Sequence, residues 1–337
     1  MNIVDAVDKF PYIQDDAITS TITELARNNL HILLWEDDEG RYPIGYMLDR
    51  VVRELLRVPA TVRGPMDFDE NKRTVLLFQL HTEAERSRAI AGLVHYWRDH
   101  DTFKLLRRWR GEVYPVYGRK GEIIFSVERA AIGLFGTVQF GAHLTAYVSD
   151  ASAPYGVKLW VAKRAANKST FPGMLDNTAA GGLATGEQPS DCILREADEE
   201  ASLSVDLIGH LVRSVGTVTY IYITDEAQVG EDGLIYPECQ WVYDLHLPSH
   251  IIPKPKDGEA EQFFLCDVDQ IRADMADGRY KPNSALVILD FFTRHGIIKD
   301  ADTPNLDVIK QRMHRYLPFP GPHKEDWHQV KNSTTSL

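Results

Sequence analysis

With 337 residues and 44% hydrophobic content, the chain can bury a substantial core and is long enough for two ordinary domains. Its formal net charge of −12, with no lysine- or arginine-rich stripe to offset the carboxylates, excludes a general binder of nucleic acid or anionic membranes. An anionic substrate would therefore need a metal or a local cluster of cations. Cys192, Cys239 and Cys266 are isolated from one another, so neither a disulfide framework nor a zinc site is indicated. The N-terminal "MNIVDAVDKFPYIQDDA" lacks a basic region and an apolar run, and no later window has the length of a membrane span. The expectation is a cytoplasmic protein that meets neither nucleic acid nor membrane, with a homodimer left open.

Apolar spacing predicts helices near "ITSTITELARNN", "MLDRVVRELLRV" and "EAERSRAIAGLVHYWRDH", and strands at "HILLWE" and "TVLLFQL". This stretch reads as a smaller α/β domain over residues 1–125, because glycine and charge interrupt the pattern at "YGRKGEIIFSVERA". Strand-like segments "FGTVQFGAHLTAYVSD" and "KLWVAKRA" follow, then a loop rich in Asn, Thr and Gly. Pro189, Ser190 and Asp191 form a helix start, and that helix is predicted to run to about Ala201. Strands "GTVTYIYITD" and "CQWVYDLHLP" precede a glycine-acidic loop, "KPKDGEAEQFFL", and a last helix, "NSALVILDFFTRHG". Strands on both sides of one central helix predict an α/β (α+β) fold over residues 126–300, a mixed sheet sandwiched by helices. The tail, 301–337, has a helical piece near "VIKQRMHRYL" and then reads as poorly ordered to its end at "KNSTTSL".

The stretch "GGLATGEQPSDCILREADEEASL", residues 181–203, gathers many carboxylates around a single arginine. On the predicted helix Leu194, Ala197 and Ala201 share one face, and Glu196, Glu199 and Glu200 gather on the opposite one. Like charges at these spacings cost roughly a few tenths of a kcal/mol per pair, a cost that a divalent cation would reverse. Oxygen-only ligands suit Mg2+, with Mn2+ as a substitute, and a metal so held neutralises a diphosphate and activates water. The plainer reading is a solvated acidic helix face.

The spacing resembles the Nudix box, GX5EX7REUXEEXGU with U aliphatic. Gly181, Glu187, Arg195, Glu196, Glu199, Glu200 and Leu203 take their places; Ala197 is a small entry at an aliphatic position and Ser202 stands where glycine is usual. Glycine there helps the helix end in a left-handed conformation, so a local adjustment around Ser202 is expected. The resemblance implies the Nudix α/β/α sandwich. It also implies a metal held by Glu196, Glu199, Glu200, the Gly181 carbonyl and a later glutamate, Glu259 or Glu261. Arg195 and Glu187 would brace the loop–helix–loop by pairing with each other or with the ligands.

The flanks "RAAIGLFGTVQFGAHLTAYV", "LWVAKRAANKSTFPGMLDNTAAGG", "YDLHLPSHIIPKPKDGEAEQFFL" and "YKPNSALVILDFFTRHG" resemble the eukaryotic Nudix family related to thiamine pyrophosphokinase, of fungi and plants. "WRGEVYPVYG" and much of what precedes it fit that family's N-terminal region of unknown function, so the resemblance covers about residues 10 to 320. It implies a phosphatase that takes one phosphate from oxidised thiamine diphosphates, the oxo and oxy forms, and more slowly from thiamine diphosphate. Lys163, Arg164 and Lys168 could bind the terminal phosphate beside the metal. Phe140, Tyr147, Trp160, Tyr220 and Trp241 are candidates to stack on a ring, although at strand spacing aromatics are mostly core. The alternatives are a hydrolase of nucleoside diphosphate derivatives such as ADP-ribose, an inactive ligand-binding Nudix protein, and an isoprenyl diphosphate isomerase, which would want a cysteine in the pocket.

Overall fold

The computed structural model describes residues 3–12, 18–225, 231–299 and 305–324. Its N-terminal unit is built on four strands in the order β2 (Gly40–Leu48), β1 (Leu30–Asp37), β4 (Thr74–Leu76), β3 (Asp67–Asp69). Helices Ile18–Arg27, Asp49–Arg57 and Glu83–Asp99 fall where the apolar spacing placed them. The third opens on a capping box: Glu85 donates its N–H to the Thr82 hydroxyl at 3.2 Å and accepts the Thr82 N–H at 2.9 Å. Strand β2 was hidden by Pro43, which has no N–H to give. It is accommodated because β2 is an edge strand and Pro43 sits opposite Leu34 at a register shift.

The glycine- and charge-rich break at residues 117–130 is a hairpin, β5 (Val113–Tyr117) with β6 (Ile123–Glu128). Tyr114, Val116, Ile124, Phe125 and Val127 bury into the same core as Trp97 and Phe103. The expected boundary near residue 125 thus falls inside β6, and the second sheet starts at Gln139. Between them, Gly136 closes helix Ile132–Phe135 at φ +56° and accepts the Tyr46 N–H at 3.2 Å. A Cβ there would stand 1.9 Å from the Tyr46 carbonyl oxygen, so only glycine allows this approach between the two units.

The second sheet has seven strands. Its main path is β11 (Arg213–Ile223), β12 (Ile235–His246), β7 (Gln139–Ser149), β8 (Val157–Arg164), β13 (Ala260–Asp267); β9 (Leu175–Asp176) pairs with β8 and β10 (Ala179–Gly182) with β7. It is mixed because β12 runs parallel to β7 while β11, β8 and β13 meet their neighbours antiparallel. Alternation along the strands sends residues to two cores. Phe140, Ala142, Leu144 and Trp160 pack with helix Pro189–Ala201, whereas Leu159, Val161, Val218 and Val242 pack with helices Val268–Ala276 and Pro282–Arg294. The result is the expected α/β/α sandwich.

The tail departs from its expectation. Beyond helix Leu306–Met313, Leu317 and Phe319 are buried in the core beneath the box helix, and Phe319 packs edge-on against Tyr46 of β2. The closing "KNSTTSL" lies outside the described residues. Among the described residues no helix is long and apolar enough to cross a membrane.

Candidate active site

The box helix runs Pro189–Ala201, with proline at its first turn and Ser202 beyond its end at φ +57°. A left-handed residue other than glycine costs about 1–2 kcal/mol. The adjustment that offsets it is visible: the Ser202 N–H donates to the Asp198 carbonyl at 3.2 Å, and its hydroxyl donates to the Lys254 carbonyl at 2.9 Å. Cys192, Ile193, Ala197 and Ala201 form the buried face; Leu194 is half-buried at its edge.

The opposite face carries the charges. Arg195 forks onto Glu187 through Nε and Nη2 at 2.9 and 3.2 Å, while its Nη1 reaches Glu196 at 2.8 Å and Glu199 at 2.9 Å. Glu187 also accepts the Ala184 N–H at 3.2 Å, which folds the loop back onto the helix. Glu200 accepts the Ala180 N–H at 3.0 Å and feels the charge of Glu259, which pairs with Lys168. Glu196 rests directly on Gly181, where a Cβ would come within 1.9 Å of its Oε1. Gly181→Ala should therefore push the Glu196 carboxylate aside. We expect at least about a tenfold loss of kcat with a melting temperature near that of wild type, because the clash meets the far end of a flexible side chain. Unchanged kcat in the folded variant would remove Glu196 from the reaction.

Burial pushes Glu196 up to about 6, and burial together with the Glu196 charge raises Glu200 well above the usual carboxylate range. Burial also works against ionisation of Glu259, but the Lys168 contact prevails and holds it low. Crowded, desolvated carboxylates of this kind are stabilised by a hard cation. Among the described residues no three His, Cys, Asp or Glu stand in ligating geometry; Arg195 pairs with Glu196, Lys168 with Glu259, and Glu200 accepts the Ala180 N–H. The chemistry of Glu196, Glu200 and Glu259 fits a divalent metal once those side chains turn; Glu199 is exposed at the cavity lining.

All of these groups except Glu200, which is set behind the surface, border a cavity of about 670 Å3. Gly181, Glu187, Arg195, Glu196, Glu199 and Glu259 line it, as do Arg164 and Lys168. Arg164 is engaged by Asp176 at 2.8 Å and by the Thr170 and Phe171 carbonyls at 2.9 and 3.1 Å. Lys163 and Glu261 are outside the lining and pair with each other at 3.0 Å. Of the five candidate aromatics only Phe140 lines the cavity; Trp160 and Tyr220 are core, Tyr147 packs on Phe291 and His295, and Trp241 packs on Phe140. No cysteine lines it, and Cys192 and Cys239 are buried thiols pushed up by desolvation. That weighs against the isomerase alternative.

Sequence reasoning missed much of the wall: Arg108, Arg110, Tyr114 and Arg129 from the N-terminal unit, Tyr222, Tyr236, Glu238 and Gln240 from the sheet, and Lys281 and Asn283 from the start of helix Pro282–Arg294. The dense "RRWRGEVY" in an acidic chain was the available signal. His143 is buried at the cavity floor, 2.7 Å from Asn177 Oδ1, and burial lowers it to about 4. Its folded form thus prefers to be neutral while the unfolded form titrates near 6.5, so its contribution to stability falls as pH drops from about 6.5 towards 4, with a limiting slope of about 1.4 kcal/mol per unit. The raised carboxylates act in the opposite sense, so the difference between wild type and His143→Gln is the quantity to measure. The urea midpoint of the variant should lose less on going from pH 7 to pH 4.5; equal losses would show that His143 is protonated in the fold.

Comparison with known proteins bears on this geometry. A family model described as a domain of unknown function (DUF4743) matches residues 39–139, and the NUDIX domain model matches residues 145–286. An uncharacterized protein of Saccharomyces cerevisiae is 35% identical over 282 residues, 82% of this chain and 82% of its own length. Nudix hydrolase 20, chloroplastic, of Arabidopsis thaliana is 34% identical over 242 residues, which cover 71% of this chain and 61% of that protein, so the chain spans under two thirds of the plant relative. An uncharacterized Nudix hydrolase of Nostoc sp. is 37% identical over 125 residues, 34% of this chain and 70% of its own length. With the box residues 181–203 inside the matched region, the chain belongs to the Nudix hydrolase family.

Proposed function

We propose that the chain is a Mg2+-dependent hydrolase that converts oxidised thiamine diphosphate, the oxo and oxy forms, and more slowly thiamine diphosphate, to the monophosphate plus phosphate. The observation that carries this reading is one cavity lined by Glu187, Glu196 and Glu199 of the box, by several cations, and by Phe140, Tyr222, Tyr236 and Glu238. Glu196, Glu200 and Glu259 would hold the ion. When bound, Mg2+ neutralises the diphosphate and makes a water more acidic. Arg195 pairs with Glu187 and so holds the box loop against the helix, and Lys168, paired with Glu259, would exchange it for a phosphate oxygen.

The aromatic wall supplies stacking for a heterocycle. Oxidation of the thiazolium to its oxo form removes the ring's positive charge. Burial raises Glu238, which lessens the pull of its carboxylate on a cationic ring relative to an uncharged one. The test is Mg2+-dependent phosphate release from oxo-thiamine diphosphate, oxy-thiamine diphosphate, thiamine diphosphate and ADP-ribose. The highest kcat/KM is expected on the oxidised thiamine compounds. Turnover of ADP-ribose with silence on every thiamine compound would discard the substrate and leave the box chemistry standing.

A further inference from the structure

The N-terminal unit is seated on the box loop. Thr185 donates its N–H to the Val113 carbonyl at 3.2 Å and its hydroxyl lies 3.0 Å from Ser126 Oγ. The Tyr114 hydroxyl sits so close to Gly182 that a Cβ there would come within 1.8 Å of it. From the same unit, Arg108 donates to the Ser169 carbonyl at 3.4 Å and Arg110 to the Ser169 hydroxyl, on the loop that also carries Lys168. Arg129 follows β6, bonds Glu112 through Nη1 at 2.9 Å, lies over the Tyr114 ring and lines the cavity. It lines the same cavity as Glu259 and Glu238 and lies within electrostatic reach of both.

We propose that the N-terminal unit, the region matched as a domain of unknown function, supplies the anion-binding wall of the active site: Arg129, with Arg108 and Arg110 at its rim, grips the phosphates of a diphosphate substrate. A diphosphate carries more negative charge than one divalent ion removes, and apart from Lys168 the Nudix-domain cations near the box are largely committed. Arg164 is held by Asp176 and two carbonyls, Lys163 by Glu261 outside the cavity, Arg195 by three glutamates. Planar guanidinium forks on the N-terminal unit meet the remaining demand and match phosphate geometry. This also explains why the unit and the box are held in direct contact: the two halves of the substrate site come from different sheets. The inference rests on the diphosphate chemistry of the family and not on the thiamine reading.

The experiment titrates methylenediphosphonate, a diphosphate that cannot be hydrolysed, with Mg2+ into the full chain by calorimetry. Wild type, Arg129→Ala, Arg129→Lys and the Arg108→Ala/Arg110→Ala double variant are compared, with KM measured for any diphosphate that wild type turns over. Loss of one charge-assisted phosphate contact should weaken binding and raise KM about 10- to 100-fold in Arg129→Ala, with Arg129→Lys between it and wild type. Where Arg129→Ala lowers the melting temperature by stranding Glu112, the Arg129→Ala/Glu112→Gln variant gives the same comparison in a balanced background. Affinity within about twofold of wild type in every folded variant overturns the wall, whatever the substrate panel shows. Weakened diphosphonate binding beside a silent thiamine panel overturns the substrate alone.

Discussion

Glu200→Gln should lower kcat by roughly 100- to 10,000-fold while leaving the protein folded. Glu200 is the most deeply buried of the box glutamates: it accepts the Ala180 N–H and is raised by burial and by the Glu196 and Glu259 charges. Without a metal its charge is a burden to the fold, and a glutamine carbonyl can still accept the Ala180 N–H at no electrostatic cost. The metal-free variant should therefore melt at or above the wild-type temperature. Mg2+ stabilises whatever it binds in the native state by mass action, so it should raise the wild-type melting temperature and fail to do so in the variant. Thermal scans with and without Mg2+, beside steady-state turnover at saturating Mg2+, read both effects. A variant that keeps near-full activity would remove Glu200 from the metal site; one that loses activity yet keeps the Mg2+ stabilisation would give Glu200 a role in proton transfer instead.

What was legible in the sequence follows the range over which each signal acts. The box helix was readable to its ends because its cues are local: Pro189 at the first turn, alternating faces of charge and small apolar residues, and a stop at Ser202. Pairing of Arg195 with Glu187, implied by the box resemblance, is present as a fork. The choice between Glu259 and Glu261 depended on where β13 begins. With Ala260 paired to Arg164 and Gln262 to Lys163, Glu261 lands beside Lys163 while Glu259, just before the strand, lines the cavity. The same alternation separates the adjacent Lys163 and Arg164. No local pattern could announce Arg129, Glu238 or Lys281, because β12 lies parallel beside β7 only after a long crossover and the N-terminal hairpin docks from another sheet. Composition hid one more element: Pro43 masked an edge strand that tolerates it.

Arg315→Ala should cost roughly 3–5 kcal/mol of stability, the range for breaking one side of a buried ion pair. Arg315 is 6% exposed and its guanidinium donates to Asp8 at 2.7 Å and to the Phe10 and Pro11 carbonyls at 2.6 Å each. Its backbone adds to the β11 edge, donating its N–H to Thr219 at 3.1 Å and accepting the Thr219 hydroxyl at 2.7 Å. Removing the side chain leaves Asp8 buried with Arg312 Nε 3.5 Å away as its remaining cation among the described residues, and strips two carbonyls of a donor. The consequence extends past local stability, because the segment that Arg315 anchors carries Leu317 and Phe319 under the box helix, with Phe319 against Tyr46 of the N-terminal sheet. Loosening it should raise protease cleavage beyond residue 305 and weaken the seat between the two units that border the cavity. Equilibrium urea denaturation and limited proteolysis read these effects separately. A loss below about 1 kcal/mol would mean that Asp8 finds water or Arg312 when Arg315 is gone, and that the termini are held by apolar packing alone.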